Sequence, residues 1–128
     1  MVHLIETVDQ IPALVNASRA IALLSVPWSV WPRKSKKVLE LLEKTQTTWA
    51  SDLRIEYFDI WPEKNEELNR WYEGLCEEYA DQFELHGHGY GPLWWVRDGV
   101  ILRSMTKPYE LDFGEVKRLS AFLLAGKL

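Results

Sequence analysis

Cysteine is nearly absent from this sequence of 128 residues, since Cys76 is its single example. One thiol cannot form an intramolecular disulfide, and it cannot support a redox cycle that needs two thiols in one chain. An excess of positive charge is also missing, because 15 basic residues stand against 19 acidic ones and give a net charge of −4. This balance disfavours a nucleic-acid partner, because proteins that bind nucleic acid usually present a basic surface.

Long hydrophobic runs and an export signal are lacking as well. The longest apolar stretches, residues 20–26 and 93–96, are too short to span a membrane. The first six residues lack the basic segment, the apolar core and the cleavage site of a secretory signal. We therefore expect a cytoplasmic protein with no membrane partner, and the length suits a single domain over residues 1–128.

The patterning that is present predicts an α/β protein. Continuous apolar or β-prone segments predict strands, and an Asp98-Gly99 turn predicts that the last two form a hairpin. The predicted strands cover residues 2–5, 19–26, 53–60, 93–97 and 100–105. Helical spacing predicts a first helix that ends near residue 17, then helices over residues 33–49 and about 63–85. A capping box at Asp112 and Glu115 starts the last helix.

Two strand–helix–strand units require parallel pairing, whereas the hairpin adds antiparallel strands, so we expect a mixed sheet between two helix layers. Apolar residues mark the buried faces of the helices. On the second helix these are Val38, Leu41, Leu42, Thr45 and Trp49. On the last helix they are Val116, Leu119, Phe122 and Leu123. Alternation in the strand predicts that Trp94 and Trp95 lie on opposite faces of the sheet.

The element order and three local features resemble the thioredoxin family over essentially the whole chain. Where that family carries Trp-Cys-x-x-Cys at a helix N-terminus, this sequence reads Trp28-Ser29-Val30-Trp31-Pro32. Gly91-Pro92 stands where the family has its cis-proline, and Asp98-Gly99 matches the hairpin turn. The resemblance implies a thioredoxin-like three-layer α/β/α sandwich with a mixed central sheet and a C-terminal β-hairpin plus helix. It also implies a cis bond before Pro92.

Ser29 and Pro32 stand at the positions of the two redox cysteines. Dithiol exchange needs an attacking thiolate and a second thiol that resolves the mixed disulfide. A serine hydroxyl stays protonated at neutral pH without an adjacent base, and proline offers no nucleophile. Dithiol oxidoreductase activity is therefore excluded, and we expect no catalytic residue at these positions.

A monothiol enzyme that uses Cys76 with glutathione or a peroxide is an alternative function. Cys76 lies on the apolar stripe of its predicted helix, beside Leu75 and four residues after Tyr72. This position favours a small buried hydrophobic residue over a reactive thiol.

Four basic residues, Arg33, Lys34, Lys36 and Lys37, occupy the first turns of the second helix. The helix macrodipole disfavours cations there, and such local conflicts are frequent at functional sites. Free N–H groups beside clustered cations favour an anion site, although a solubilising face explains the same residues.

His86 and His88 offer two metal ligands, whereas a metal site needs three or four. We therefore interpret them as part of a solvated loop, and we expect neither a metal nor a cofactor.

Trp28 and Trp31 lie in the predicted turn beside the basic run, and aromatic and cationic residues together are typical of binding surfaces. The resemblance implies that an extended peptide is held beside the cis-proline through main-chain hydrogen bonds. Relatives without the cysteine pair, hydrogenase-maturation chaperones among them, use the fold in this way. We therefore expect a redox-inactive binding or chaperone-type module with a protein or peptide partner. The basic run favours an acidic segment in that partner. A structural or oligomerisation subunit is the other alternative. The predicted groove residues are Trp28, Ser29, Trp31, Arg33, Lys34, Lys36, Lys37, Gly91 and Pro92.

Overall fold

The structure, a computed structural model, describes residues 1–125 of the chain. This part contains five strands and four α-helices, and short 3₁₀ turns join several of them. The strands are β1 (Val2–Ile5), β2 (Arg19–Leu24), β3 (Glu56–Ile60), β4 (Leu93–Arg97) and β5 (Val100–Met105). The helices are α1 (Ile11–Val15), α2 (Pro32–Trp49), α3 (Glu66–Glu78) and α4 (Phe113–Ala125). Within this described part, no helix has the length and apolar character needed to cross a membrane.

The five strands form one mixed sheet in the order β1-β3-β2-β4-β5. The first three strands are parallel, and β4 is antiparallel to both of its neighbours. This arrangement confirms the predicted mixed sheet and C-terminal hairpin. Because β2 and β3 are parallel and adjacent, their carboxyl ends meet at the same edge of the sheet, where Leu24 pairs with Ile60.

Helices cover both faces of this sheet, which confirms the three-layer sandwich. One buried cluster lies between the sheet and the side of α1 and α3, and it includes Phe58, Leu68 and Trp94. The other lies on the side of α2 and α4, and it includes Leu42 and Trp95. The two adjacent tryptophans of β4 are therefore buried on opposite faces, as the strand alternation predicts.

The prediction that Leu41 and Phe122 lie in the core is wrong. Leu41 on α2 is 42% exposed and Phe122 on α4 is 56% exposed. The buried face of each helix includes serines, which an apolar pattern does not register. The buried residues of α2 are Pro32, Ser35, Leu39 and Leu42. Those of α4 are Val116, Ser120 and Leu124.

The third predicted helix is also shorter than residues 63–85. A 3₁₀ turn over Pro62–Lys64 precedes it, and α3 begins only after Asn65. The Asn65 side-chain oxygen accepts a hydrogen bond from the backbone N–H of Leu68 at 3.0 Å, which caps the helix. The chain from the end of α3 to β4 is therefore a longer connection than predicted, and it carries both histidines of the glycine-rich segment.

The expected cis bond before Pro92 is wrong, because the structure contains no cis peptide bond in residues 1–125. Gly91 instead turns the chain into β4 with a φ of +79°, a conformation that favours glycine. The carbonyl oxygen of Pro92 then accepts a hydrogen bond from the backbone N–H of Leu24 at 3.1 Å. The trans proline thus extends the pairing of β2 with β4 by one hydrogen bond.

Candidate functional site

The turn between β2 and α2 exposes large apolar side chains. Pro32 occupies the first turn of α2. Backbone N–H groups in the first turn have no partner within the helix, so a proline there costs no helical hydrogen bond. The backbone N–H of Trp31 donates to the Ser29 hydroxyl at 3.2 Å, which fixes the turn before the helix. In this conformation Trp28 is 64% exposed, Val30 is 65% exposed and Trp31 is 40% exposed. Three of these four consecutive residues therefore form an apolar patch on the surface of the folded protein.

These side chains line an open depression, which we call the aromatic groove. Its volume is about 330 Å³. It is lined by Trp28, Ser29, Val30, Trp31, His88 and Tyr90. Three of the residues predicted from the sequence, Trp28, Ser29 and Trp31, are therefore brought together here.

Trp31 is the centre of a cluster of aromatic and cationic side chains. Its ring stacks on Tyr109 with centroids 5.8 Å apart, and it lies 6.0 Å from the ring of Tyr90. The Lys34 ammonium lies 4.6 Å from the Trp31 ring centroid, and the Lys107 ammonium lies 4.2 Å from that of Tyr90. Both distances fall in the range of cation–π interactions. The cluster therefore presents flat aromatic surface and positive charge side by side.

Trp28 is held at both ends although most of its surface is exposed. Its indole N–H donates to a carboxylate oxygen of Glu63 at 2.8 Å. Its ring lies so close to Gly89 that a Cβ at that position would be 2.4 Å from the ring. Trp28 therefore packs on the loop that leads to Pro92, and it forms a fixed wall at one side of the aromatic groove.

Gly91 and Pro92 are buried and do not line the groove. A Cβ on Gly91 would lie 2.7 Å from the Cα of Pro32, so the loop backbone presses directly on the start of α2. The Ser35 hydroxyl donates to the Tyr90 carbonyl at 3.3 Å across the same contact. These two predicted residues thus support the groove from beneath.

The basic run divides into an exposed set and an inward-facing residue. Arg33, Lys34 and Lys37 are exposed. The Lys36 ammonium instead lies 3.4 Å from Oδ2 of Asp59, which is fully buried. A buried carboxylate is costly without a partner, and the other oxygen of Asp59 accepts a hydrogen bond from Ser25 at 2.6 Å. Lys36 therefore neutralises charge beneath α2, while the other three cations remain available to a ligand.

A second depression, which we call the acidic cleft, lies on the other side of Trp28. Its volume is about 560 Å³. Three carboxylates, those of Glu63, Glu73 and Glu77, line it together with Cys76. The remaining lining residues are Leu24, Val26, Trp28, Pro62, Asn69, Tyr72, His86 and Gly89.

Cys76 is half-buried at the wall of the acidic cleft. Burial raises the pKa of the Cys76 thiol above its ordinary value, and the nearby carboxylates of Glu73 and Glu84 raise it further. A hydrogen bond with Tyr72 lowers this pKa, with an effect smaller than that of burial and larger than that of either carboxylate. The thiol is therefore protonated at neutral pH, which is the inert form of cysteine.

The loop that packs under Trp28 also gathers three potential metal ligands. Ligand atoms of Glu84, His86 and His88 all lie within 4.8 Å of one another, and all three residues are exposed. Nε2 of the His88 imidazole contacts Oε1 of the Glu84 carboxylate. The sequence interpretation considered the two histidines and did not include Glu84. The alternating spacing of Glu84, His86 and His88 is the signal that could have found it.

Sequence reasoning also missed Tyr90, Lys107 and Tyr109. Tyr90 is half-buried and lies next to Gly91, in a loop whose glycines have positive φ angles. Lys107 and Tyr109 follow β5, at the 3₁₀ turn before α4. Only the three-dimensional arrangement brings that turn against the start of α2. The Lys107-Pro108-Tyr109 combination of a cation with an aromatic residue is the only local hint.

Comparison with known proteins shows the fold. No protein-family model and no curated protein matches the chain. The oxidised thioredoxin from Plasmodium falciparum has a similar structure, with a TM-score of 0.62 and 10% identity over 97% of this chain and 99% of that one. The thioredoxin Mala s 13 from Malassezia sympodialis gives 0.61 and 9% over 94% and 91%, respectively. A designed protein gives 0.59 and 16% over 98% and 95%. The chain thus has the thioredoxin fold, with a single cysteine in its sequence.

Proposed function

We propose that this thioredoxin fold is a redox-inactive binding module that holds an extended acidic peptide of a partner protein in the aromatic groove. The observation that carries the proposal is the exposed Trp31, which lies between two tyrosines with the Lys34 ammonium over its ring. The groove lies beside the loop that carries Pro92, where the resemblance to thioredoxins placed a peptide.

The aromatic side chains supply the apolar part of the contact. Tryptophan and tyrosine bury large areas with few rotatable bonds, so they lose little conformational entropy when a ligand covers them. Trp28 is fixed by its hydrogen bond to Glu63 and by Gly89, and Trp31 is fixed by its stacking on Tyr109. Because these walls are already ordered, little conformational entropy of the groove is lost when a ligand binds.

Positive charge around the groove favours an acidic ligand. Arg33, Lys34 and Lys37 are exposed at the start of α2, and Lys107 lies over Tyr90, which lines the groove. The chain as a whole carries a net charge of −4, so this concentration of cations is local. Carboxylates of a peptide can pair with these cations, and the attraction also accelerates the encounter of the two partners.

Side chains rather than the main chain of the Pro92 loop make the proposed contacts. Gly91 and Pro92 are buried, and the Pro92 carbonyl already accepts the hydrogen bond from Leu24. The mode therefore differs from strand addition beside a proline. Recognition instead depends on aromatic surface and charge.

Titration of the ¹⁵N-labelled protein with a synthetic acidic peptide tests this function. The peptide carries alternating Glu and Leu residues, and a peptide with Lys in place of Glu serves as its control. We expect the acidic peptide to shift the Trp31 indole and Lys34 amide resonances and the control peptide to leave them unchanged. Shifts confined to other surfaces, or none, would falsify the proposal.

Matched variants sharpen the test. Trp31→Ala should weaken binding of the acidic peptide at least about tenfold, because an exposed aromatic anchor is typical of residues that dominate an interface. Lys34→Glu should also weaken peptide binding. Lys44→Glu should not, because Lys44 is exposed on the same helix but lies far from the groove. Equal effects of the two charge reversals would show that only net charge matters.

A further inference from the structure

We propose that Glu84, His86 and His88 form a site for a divalent transition-metal ion, with Zn²⁺ as the ion that best fits the ligands. Each residue offers one ligand atom, and the three atoms lie within 4.8 Å of one another. Two imidazoles and one carboxylate are a ligand set that Zn²⁺ accepts, and they leave a fourth position open.

The ligand atoms need only a small movement to surround an ion. Zinc–ligand bonds of about 2.0–2.2 Å in a tetrahedral site place the ligand atoms roughly 3.3 Å apart. All three side chains are exposed and can rotate to this spacing without displacing the core. Nε2 of His88 already contacts Oε1 of Glu84, so two of the three ligands share one location.

The loop backbone brings the two imidazoles to the same side. Gly87, His88 and Gly89 all have positive φ angles, of 69°, 47° and 81°. In this conformation the ring centroids of His86 and His88 are 5.2 Å apart. The His88 backbone N–H donates to Nδ1 of His86 at 3.3 Å, a long hydrogen bond. Metal on His86 ends that bond, and water replaces it because His88 is exposed.

The site lies where the two depressions meet. His86 lines the acidic cleft, and His88 lines the aromatic groove. An ion held there therefore lies beside Trp28, which separates the two depressions. Since all three ligand residues are exposed, the ion can bind from solvent without the acidic peptide.

Isothermal titration of the metal-free protein with ZnCl₂ tests the site. We expect one ion per chain, with at least tenfold weaker binding in His86→Ala and in His88→Ala. Glu84→Gln should weaken binding as well. Glu77→Gln is its control, since Glu77 is also exposed and lines only the acidic cleft. His3→Ala controls for the remaining histidine of the sequence.

A spectroscopic measurement identifies the ligands directly. Long-range ¹H–¹⁵N spectra of the imidazole rings should show Zn²⁺-dependent shifts for His86 and His88 and none for His3. Circular dichroism establishes that each variant is folded, which we expect because the substituted side chains are exposed. Absence of binding, or undiminished binding in the double variant His86→Ala/His88→Ala, overturns the proposal.

Discussion

Ser120 provides the hydrogen-bond acceptor for the buried indole N–H of Trp95, a contact that the sequence pattern alone does not predict. Its hydroxyl accepts from the Trp95 indole N–H at 2.8 Å and donates to the Val116 carbonyl at 2.7 Å. Ser120→Ala leaves the buried indole N–H without an acceptor, so we expect a loss of about 1–3 kcal/mol in the free energy of unfolding. Urea denaturation measures the loss. Ser51→Ala at an exposed position is the control, and a comparable loss there would contradict the explanation.

Cys76 should be less reactive in the folded protein than in the unfolded chain. Burial raises the pKa of its thiol above the ordinary value of 9.0, so less of the reactive thiolate is present at neutral pH. Alkylation by iodoacetamide between pH 7 and 10, with and without urea, should give slower native rates and a higher native midpoint.

The same shift sets the sign of the pH dependence of stability. Since the folded pKa lies above the unfolded one, the contribution of Cys76 to stability is present below about pH 9 and is lost as the pH rises through the folded pKa. A Cys76→Ala variant should therefore lose less stability between pH 8 and 10 than the natural sequence. In the alkylation experiment, equal rates at pH 7 for the folded protein and for the protein in urea would contradict the raised pKa. That result would favour the alternative function, a monothiol enzyme that uses Cys76.

Substitution by alanine should change the stability of the protein in opposite directions at two glycines that lie in different elements. Gly74 lies inside α3, and a Cβ there meets nothing within 4 Å, so Gly74→Ala should stabilise the protein by about 0.5–1 kcal/mol. Gly91 has a φ of +79°, and a Cβ there would lie 2.7 Å from the Cα of Pro32. Gly91→Ala should cost more than about 2 kcal/mol. Thermal denaturation measures both, and a tolerated Gly91→Ala would show that the loop can move away from α2.

Elements with a regular period could be predicted from the sequence, whereas their contacts could not. The apolar run of β2 and the Asp98-Gly99 turn predict a strand and a hairpin, and both are present. The apolar pattern predicts Leu41 and Phe122 in the core and does not register Ser35 or Ser120, which are buried in their place. The two serines are buried because they have partners in other elements, namely the Tyr90 carbonyl and the Trp95 indole.

The candidate site shows the same limit. Trp28, Ser29 and Trp31 are neighbours in sequence, so their grouping could be predicted. Tyr109 reaches Trp31 only because the turn after β5 packs beside α2. Contacts between distant segments follow from the order of strands in the sheet, and local patterns carry no information about them.

Across the molecule, Trp28 separates two depressions of opposite charge. The cations of α2 and Lys107 flank the aromatic groove, whereas Glu63, Glu73 and Glu77 line the acidic cleft. An acidic ligand is therefore attracted to one side of Trp28 and repelled from the other. In the proposed function, this asymmetry directs an acidic segment to a single place on a protein whose net charge is −4.

The two buried clusters on opposite faces of the sheet should act as separate packing units within one cooperative transition. Ile21 belongs to the cluster under α2 and α4, and Ile60 belongs to the cluster under α1 and α3. Both are fully buried, so Ile21→Val and Ile60→Val should each cost about 0.5–1.5 kcal/mol.

Since the two side chains point to opposite faces, the costs should add in the double variant to within about 0.5 kcal/mol. Urea denaturation, followed by tryptophan fluorescence and by circular dichroism, should give one coincident transition for all variants, as expected of a single domain over residues 1–128. Two separate transitions would mean that the helix layers unfold independently. A coupling well above 0.5 kcal/mol would instead mean that the sheet transmits packing changes from one face to the other.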